Sequence, residues 1–207
     1  MHIKQVIQSG KQTGEATKAL VMVHGRGGSA EDILSLANYL PVNDFALFAP
    51  QATNNTWYPY SFLVDPKENA PWLSGALAVL KEVVADVQAT GITTDNIYFL
   101  GFSQGACLTL EFVARNATRY GGVVAFTGGL IGDKIYEQNY TGDFAGTPIF
   151  IGTSDPDPHI PVERVHASAE ILNSMHAQVT KKIYKNMGHT ISQEEINEVK
   201  ALIFKES

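Results

Sequence analysis

Apolar positions along the chain follow two periods, and the alternation between them outlines the elements. Residues 3–8 read as an edge strand, and residues 19–24 (Ala-Leu-Val-Met-Val-His) form the nearly continuous apolar run of a strand buried on both faces. Ser29 then offers an N-cap to a segment in which Ile33, Leu34, Leu36, Ala37 and Leu40 recur at helical spacing until Pro41 stops it. Residues 45–50 are a third strand, followed by a polar and aromatic connector over 51–70 and a long helical pattern over 72–88. Residues 96–102 read as a central strand that passes directly into a helix over 103–115. Strands over 122–126 and 148–151 flank a Gly- and Tyr-rich excursion at 127–146, and the chain ends helix (162–177), strand (181–184), helix (193–204). This alternation predicts an α/β fold: a mostly parallel central sheet of about seven strands with helices on both faces. The 207 residues suit one domain spanning 1–207, with no repeat, low-complexity tract or linker.

Composition narrows what the motifs can mean. A net charge of −6 argues against a binder of phosphate backbones, which needs clustered Lys and Arg, so nucleic acid is not an expected partner. The N-terminal stretch from Met1 to Val6 lacks a charged region followed by a long apolar run, so no signal peptide is expected. No apolar stretch reaches the ~18 residues that span a bilayer, so stable membrane insertion is not expected and the predicted location is cytoplasmic. The single cysteine, Cys107, cannot form an internal disulfide, and no Cys or His spacing predicts a metal.

The chemistry gathers at predicted strand ends. Gly101-Phe102-Ser103-Gln104-Gly105 fits GxSxG where a strand meets a helix, the context in which small flanking residues let a sharp turn lift the serine hydroxyl toward solvent. A hydroxyl needs a base, and in the chain order serine, acid, histidine that base is His189, in the glycine loop Asn186-Met187-Gly188-His189-Thr190. His166 and His176 fall within a helical pattern, and His24 precedes the serine. For the acid two residues of Gly152-Thr153-Ser154-Asp155-Pro156-Asp157 compete, and for one of them an Asp-Pro turn is the whole explanation. Asp155 is nearer its strand and so more firmly placed; Asp157 sits between two prolines in a stretch suited to a turn. Two oxyanion donors are expected, the N–H of Gln104 after the nucleophile and that of Arg26 in the loop His24-Gly25-Arg26-Gly27-Gly28. The same glycines as a phosphate cradle lack both the Gly-Lys-Ser/Thr ending and the full GxGxxG pattern.

These segments together resemble the phospholipase/carboxylesterase family of small α/β-hydrolases, which includes bacterial carboxylesterases and acyl-protein thioesterases. The carrying residues are Val21 to Gly25, Gly101 to Ala106, Gly152 with Asp155 three residues on and Ile160-Pro161 beyond, and Gly188-His189-Thr190-Ile191. The resemblance implies a Ser103, Asp155, His189 triad that hydrolyses esters or thioesters of small to medium acyl groups through an acyl-enzyme, with no cofactor. The chain departs from the thioesterases at Arg26-Gly27-Gly28, where they tend to carry an apolar residue and then Gly-Asp; that difference weighs against acylated-protein substrates.

Selectivity is expected from the connectors. Trp57 and Trp72, with Leu130 and Ile131 from the later excursion, are read as walls of a pocket over Ser103, the competing reading for Trp57 being a hydrophobic cluster under a long loop. Arg26 has two readings, a contact to a substrate carboxylate or a surface ion pair. Cys107, one helical turn after Ser103, is read as a packing residue. Two alternatives to a small-molecule esterase remain: a dienelactone-hydrolase-like reaction, whose enzymes generally carry cysteine at the elbow, and a non-catalytic binding protein on the same fold. The oligomeric state is open, a homodimer included.

Overall fold

The computed structural model describes residues 2–205; Met1, where the N-terminal stretch was read for a signal, lies outside them. Seven strands form one sheet: β1 (Val6–Gly10), β2 (Lys18–Val23), β3 (Phe45–Pro50), β4 (Ile97–Phe102), β5 (Gly122–Phe126), β6 (Pro148–Asp155) and β7 (Gln178–Lys185). Their order is β1-β3-β2-β4-β5-β6-β7, and only β1 runs antiparallel to its neighbour. Among the described residues five α-helices accompany them: α1 (Ala30–Leu34), α2 (Trp72–Ala89), α3 (Gln104–Arg115), α4 (Val162–Ser174) and α5 (Gln193–Leu202). The α/β architecture is therefore the one the alternation predicts.

The period-2 geometry of strands divides the core in two. In β2, Ala19, Val21 and Val23 pack with α2, α3 and α4, while Leu20 and Met22 pack with α1 and α5 on the opposite face. This two-sided burial explains why the central strands read as unbroken apolar runs. Several bounds differ from expectation: β1 covers Val6–Gly10 rather than 3–8, β7 Gln178–Lys185 rather than 181–184, and α4 ends at Ser174 rather than 177, and two further elements differ more. The segment after Ser29 is α-helical only to Leu34, held by a Ser29/Asp32 capping box, and continues as a 3-10 turn over Ser35–Tyr39. β6 runs to Asp155 rather than stopping at residue 151, because Gly152, Thr153, Ser154 and Asp155 all pair with β7, as far as Asp155 opposite Lys185. Pairing supplies hydrogen bonds that these polar side chains do not advertise.

The strand order reverses between β2 and β4, whose C-terminal ends lie side by side. Such a switch point opens a crevice beyond the strand ends, and the loops after β2, β4, β6 and β7 all meet there.

Candidate active site

Ser103 occupies the turn between β4 and α3 with φ 53° and ψ −118°, a conformation a non-glycine residue holds only when its surroundings over-determine it. Its N–H is fixed to the carbonyl of Phe126 at 2.9 Å, and its own carbonyl accepts the N–H of Cys107. Both flanking glycines are required by close backbone approach. A Cβ on Gly105 would lie 2.1 Å from the carbonyl oxygen of Val23, and one on Gly101 would lie 2.4 Å from that of Gly105. The first contact seats the start of α3 directly against β2. This is the physical content of GxSxG in this chain.

His189 lies in the loop after β7, and the N–H of Gly188 donates to the buried Ser154 hydroxyl at 2.9 Å, tying that loop to the end of β6. The imidazole Nε2 is 2.8 Å from Ser103 Oγ, and Nδ1 is 2.9 Å from a carboxylate oxygen. That carboxylate belongs to Asp157. The expectation of Asp155 is corrected: β6 extends through it, its carbonyl receives the N–H of Asn186, and its side chain is exposed. The loop that can turn back toward His189 begins only afterwards.

Asp157 also makes the turn anticipated for one of the two aspartates. Its Oδ1 accepts the N–H groups of His159 (2.7 Å) and Ile160 (2.9 Å), while Oδ2 faces His189. Turn-making and histidine-holding are thus one residue's work, performed by two different oxygens. Burial would raise the Asp157 pKa, but the hydrogen bonds from His159, His189 and Ile160 outweigh it and hold the carboxyl below its usual value. With an ionised acceptor at Oδ2, the Nδ1 proton is the one His189 carries, which leaves Nε2 as an acceptor toward Ser103.

The loop after β2 forms the opposite wall. Among the described residues, the N–H of Arg26 has no protein acceptor, and that of Gln104, the first residue of α3, can have none within its own helix. The Gln104 side chain is buried and braces the neighbouring connector: Oε1 accepts the N–H of Trp57 at 2.9 Å and Nε2 donates to the carbonyl of Tyr58 at 2.9 Å. This bracing role was not anticipated. Its one sequence signal is an amide at the start of a helix whose other residues are nearly all apolar.

Burial pushes the His24 pKa down, and this histidine supports the same loop. Its Nε2 accepts the N–H of Ala52, so Nδ1 carries the proton and donates to the carbonyl of Gly25. The indole N–H of Trp57 donates to the carbonyl of His24 at 2.9 Å.

The cleft beside Ser103 has a volume of about 610 Å³. Its walls are not those expected. Trp57 is fully buried in the core with its ring tilted against those of His2 and His24, Trp72 meets His2 in an edge-to-face pair, and Leu130 is fully buried with its N–H held by Ser168 Oγ. None of the three lines the cleft. The apolar lining comes instead from Tyr58, Phe62, Leu63 and Ile160, with His159 and Arg26 at polar positions. The aromatic connector does wall the site, but its largest side chain, whose one polar atom has a carbonyl to satisfy it, is spent inward on the core. Cys107 reaches the cleft floor, where burial pushes its thiol up to about 12, so it stays protonated. Among the described residues Arg26 forms no surface ion pair; its guanidinium donates to the carbonyls of Tyr58, Pro59 and Tyr60.

Residues 2–206 match the family model for phospholipase/carboxylesterase. The chain belongs to that family. It is therefore an α/β-hydrolase of the carboxylesterase and thioesterase type. The crystal structure of a phospholipase/carboxylesterase from Dyadobacter fermentans is 54% identical and superposes with a TM-score of 0.98 over 99% of this chain and 98% of that one. Acyl-protein thioesterase 1 of Saccharomyces cerevisiae is 28% identical over 92% of this chain and 93% of its own length. A probable carboxylesterase of Oryza sativa is 26% identical over 89% of this chain and 76% of its own. No helix among the described residues is long and apolar enough to cross a membrane.

Proposed function

We propose that this chain hydrolyses carboxylic esters of small to medium acyl groups through an acyl-enzyme formed on Ser103, with His189 as general base and Asp157 as the acid that orients it. The observation that carries the reading is the continuous relay from Ser103 Oγ to His189 Nε2 (2.8 Å) and from His189 Nδ1 to Asp157 Oδ2 (2.9 Å). In the first step His189 Nε2 takes the hydroxyl proton as Ser103 Oγ bonds to the ester carbonyl carbon. Asp157 stabilises the imidazolium without itself taking a proton. The negative charge on the carbonyl oxygen is met by the N–H groups of Arg26 and Gln104, which are held in place beforehand by the β2 loop and the start of α3. Collapse of this intermediate expels the alcohol, which leaves with the proton from His189. Water then repeats the sequence on the acyl-enzyme and frees the acid.

No step calls for a cofactor. The chemistry acts equally on an oxygen ester and a thioester, and the departure at Arg26-Gly27-Gly28 weighs against acylated proteins as substrates and not against thioesters of small acyl groups. The test is Ser103→Ala, which should lower kcat on an aryl ester by about 10⁶ while leaving the fold intact, since a single oxygen is removed. A folded variant within tenfold of wild type would exclude the serine mechanism. Labelling of Ser103 by a fluorophosphonate separates an enzyme from a non-catalytic binder, which the strained backbone at Ser103 already disfavours.

A further inference from the structure

We propose that the cleft selects esters bearing a carboxylate and that the Arg26 guanidinium is the group that reads it; this rests on the ester-hydrolase reading above. Arg26 lines the same cleft as Ser103 and His189. Its Nη2 donates to the carbonyls of Tyr58 (3.0 Å) and Tyr60 (2.8 Å), and its Nη1 to that of Pro59 (3.0 Å). Three of the five N–H donors of a guanidinium are thereby used, and two remain. Carbonyl oxygens fix the head without cancelling its charge, and among the described residues no carboxylate lies within ion-pair reach of it.

A purely structural strap explains this arrangement less well, because the segment it touches is already held. Gln104 binds Trp57 and Tyr58, and Asn69 takes the N–H of Tyr60 on Oδ1 and donates to the carbonyl of Ser61. What Arg26 adds is a positive charge held at one place. The acid among the cleft-lining residues is Asp157, whose carboxylate is fully buried against His189, so an exposed cation faces the cleft of a protein whose net charge is −6. The two donors left, Nε–H and one Nη1–H, lie on different edges of the guanidinium, so a carboxylate is held by one charge-assisted hydrogen bond and the fixed charge, and little side-chain freedom remains to be lost on binding.

The experiment compares kcat/KM on two matched pairs of esters, with background hydrolysis subtracted and each normalised to its second-order rate with hydroxide. One pair places the carboxylate on the acyl side, p-nitrophenyl hemiglutarate against its neutral isostere p-nitrophenyl 5-methylhexanoate. The other places it on the leaving group, 4-acetoxybenzoate against its methyl ester. In one of the pairs the anionic ester should be preferred by about tenfold, the scale of one partly exposed charge-assisted pair, and the preference should shrink between low and high salt. Arg26→Gln should bring that ratio to about one or below, whatever it does to both rates together, and Arg26→Lys should retain part of it. Hydrolysis of the neutral esters with no anionic preference in either pair, or a preference unchanged in Arg26→Gln, overturns the proposal and leaves the hydrolase reading standing. Failure to hydrolyse any of the four esters overturns both.

Discussion

Replacing Asp157 by Asn tests the relay at its least legible member, and the geometry dictates how the new amide must sit. Oδ1 of Asp157 accepts two backbone N–H groups, from His159 and Ile160, so an amide NH₂ placed there would face two donors. The carbonyl oxygen of the Asn must keep that position, and the NH₂ must take the place of Oδ2, 2.9 Å from His189 Nδ1. His189 can then satisfy the NH₂ only by accepting at Nδ1, which moves its proton to Nε2 and points an N–H at Ser103. The base is disabled with the site otherwise intact. The same change of tautomer in another serine triad lowers kcat by about 10⁴, which at 1.36 kcal/mol per tenfold is about 5.4 kcal/mol of transition-state stabilisation. Both turn bonds survive in Asp157→Asn, so its melting temperature should stay close to that of wild type. Asp155→Asn changes an exposed side chain at the end of β6 and should alter kcat by less than about threefold, as surface substitutions usually do. Initial rates on p-nitrophenyl acetate, with thermal melts of both variants, decide the matter. Activity of Asp157→Asn within tenfold of wild type, or an equal loss in Asp155→Asn, would refute the reasoning.

Two other substitutions probe the support of the site. Trp57→Ala should cost roughly 3–5 kcal/mol, because it empties a fully buried core position and orphans the carbonyl of His24, and at this chain length the melting temperature should fall by roughly 6–20 °C. Preference along an acyl series should be unchanged for the fraction that remains folded, and altered preference with no thermal cost would return Trp57 to the pocket wall. Glu195, fully buried at the start of α5, has its pKa raised by burial in spite of the hydrogen bonds from Ser192. Because the folded state holds this proton longer than the unfolded state, its contribution is complete below the unfolded value of ~4.3 and is lost as pH rises through the folded one. Wild type should therefore lose stability relative to Glu195→Gln as pH rises from that value, and denaturant melts of the pair showing a constant difference across pH would contradict this.

Much of this protein is determined by local sequence. The seven strands and their alternation with helices are legible because central strands buried on both faces must be continuously apolar, as in residues 19–24 and 122–126, and that pattern needs no knowledge of neighbours. The turn at Ser103 is legible for a related reason. Gly101 and Gly105 are demanded by backbone contacts that belong to the turn and to the strand beside it, so the motif carries its own geometry. His189 follows from chain order once the strands are placed. Other features belong to tertiary structure alone. Whether β6 ends at 151 or 155 depends on hydrogen bonds supplied by β7 to the polar residues Gly152 to Asp155, and this pairing across the sheet is what exposes Asp155 and hands His189 to Asp157. The inward turn of Trp57 was decided by a carbonyl 33 residues away, and the cleft was left to its smaller neighbours Tyr58, Phe62 and Leu63. Arg26 met backbone carbonyls where its sequence suggested a surface ion pair, because a long flexible cation is placed by whatever acceptors the folded loops bring within reach, and composition cannot say which those are.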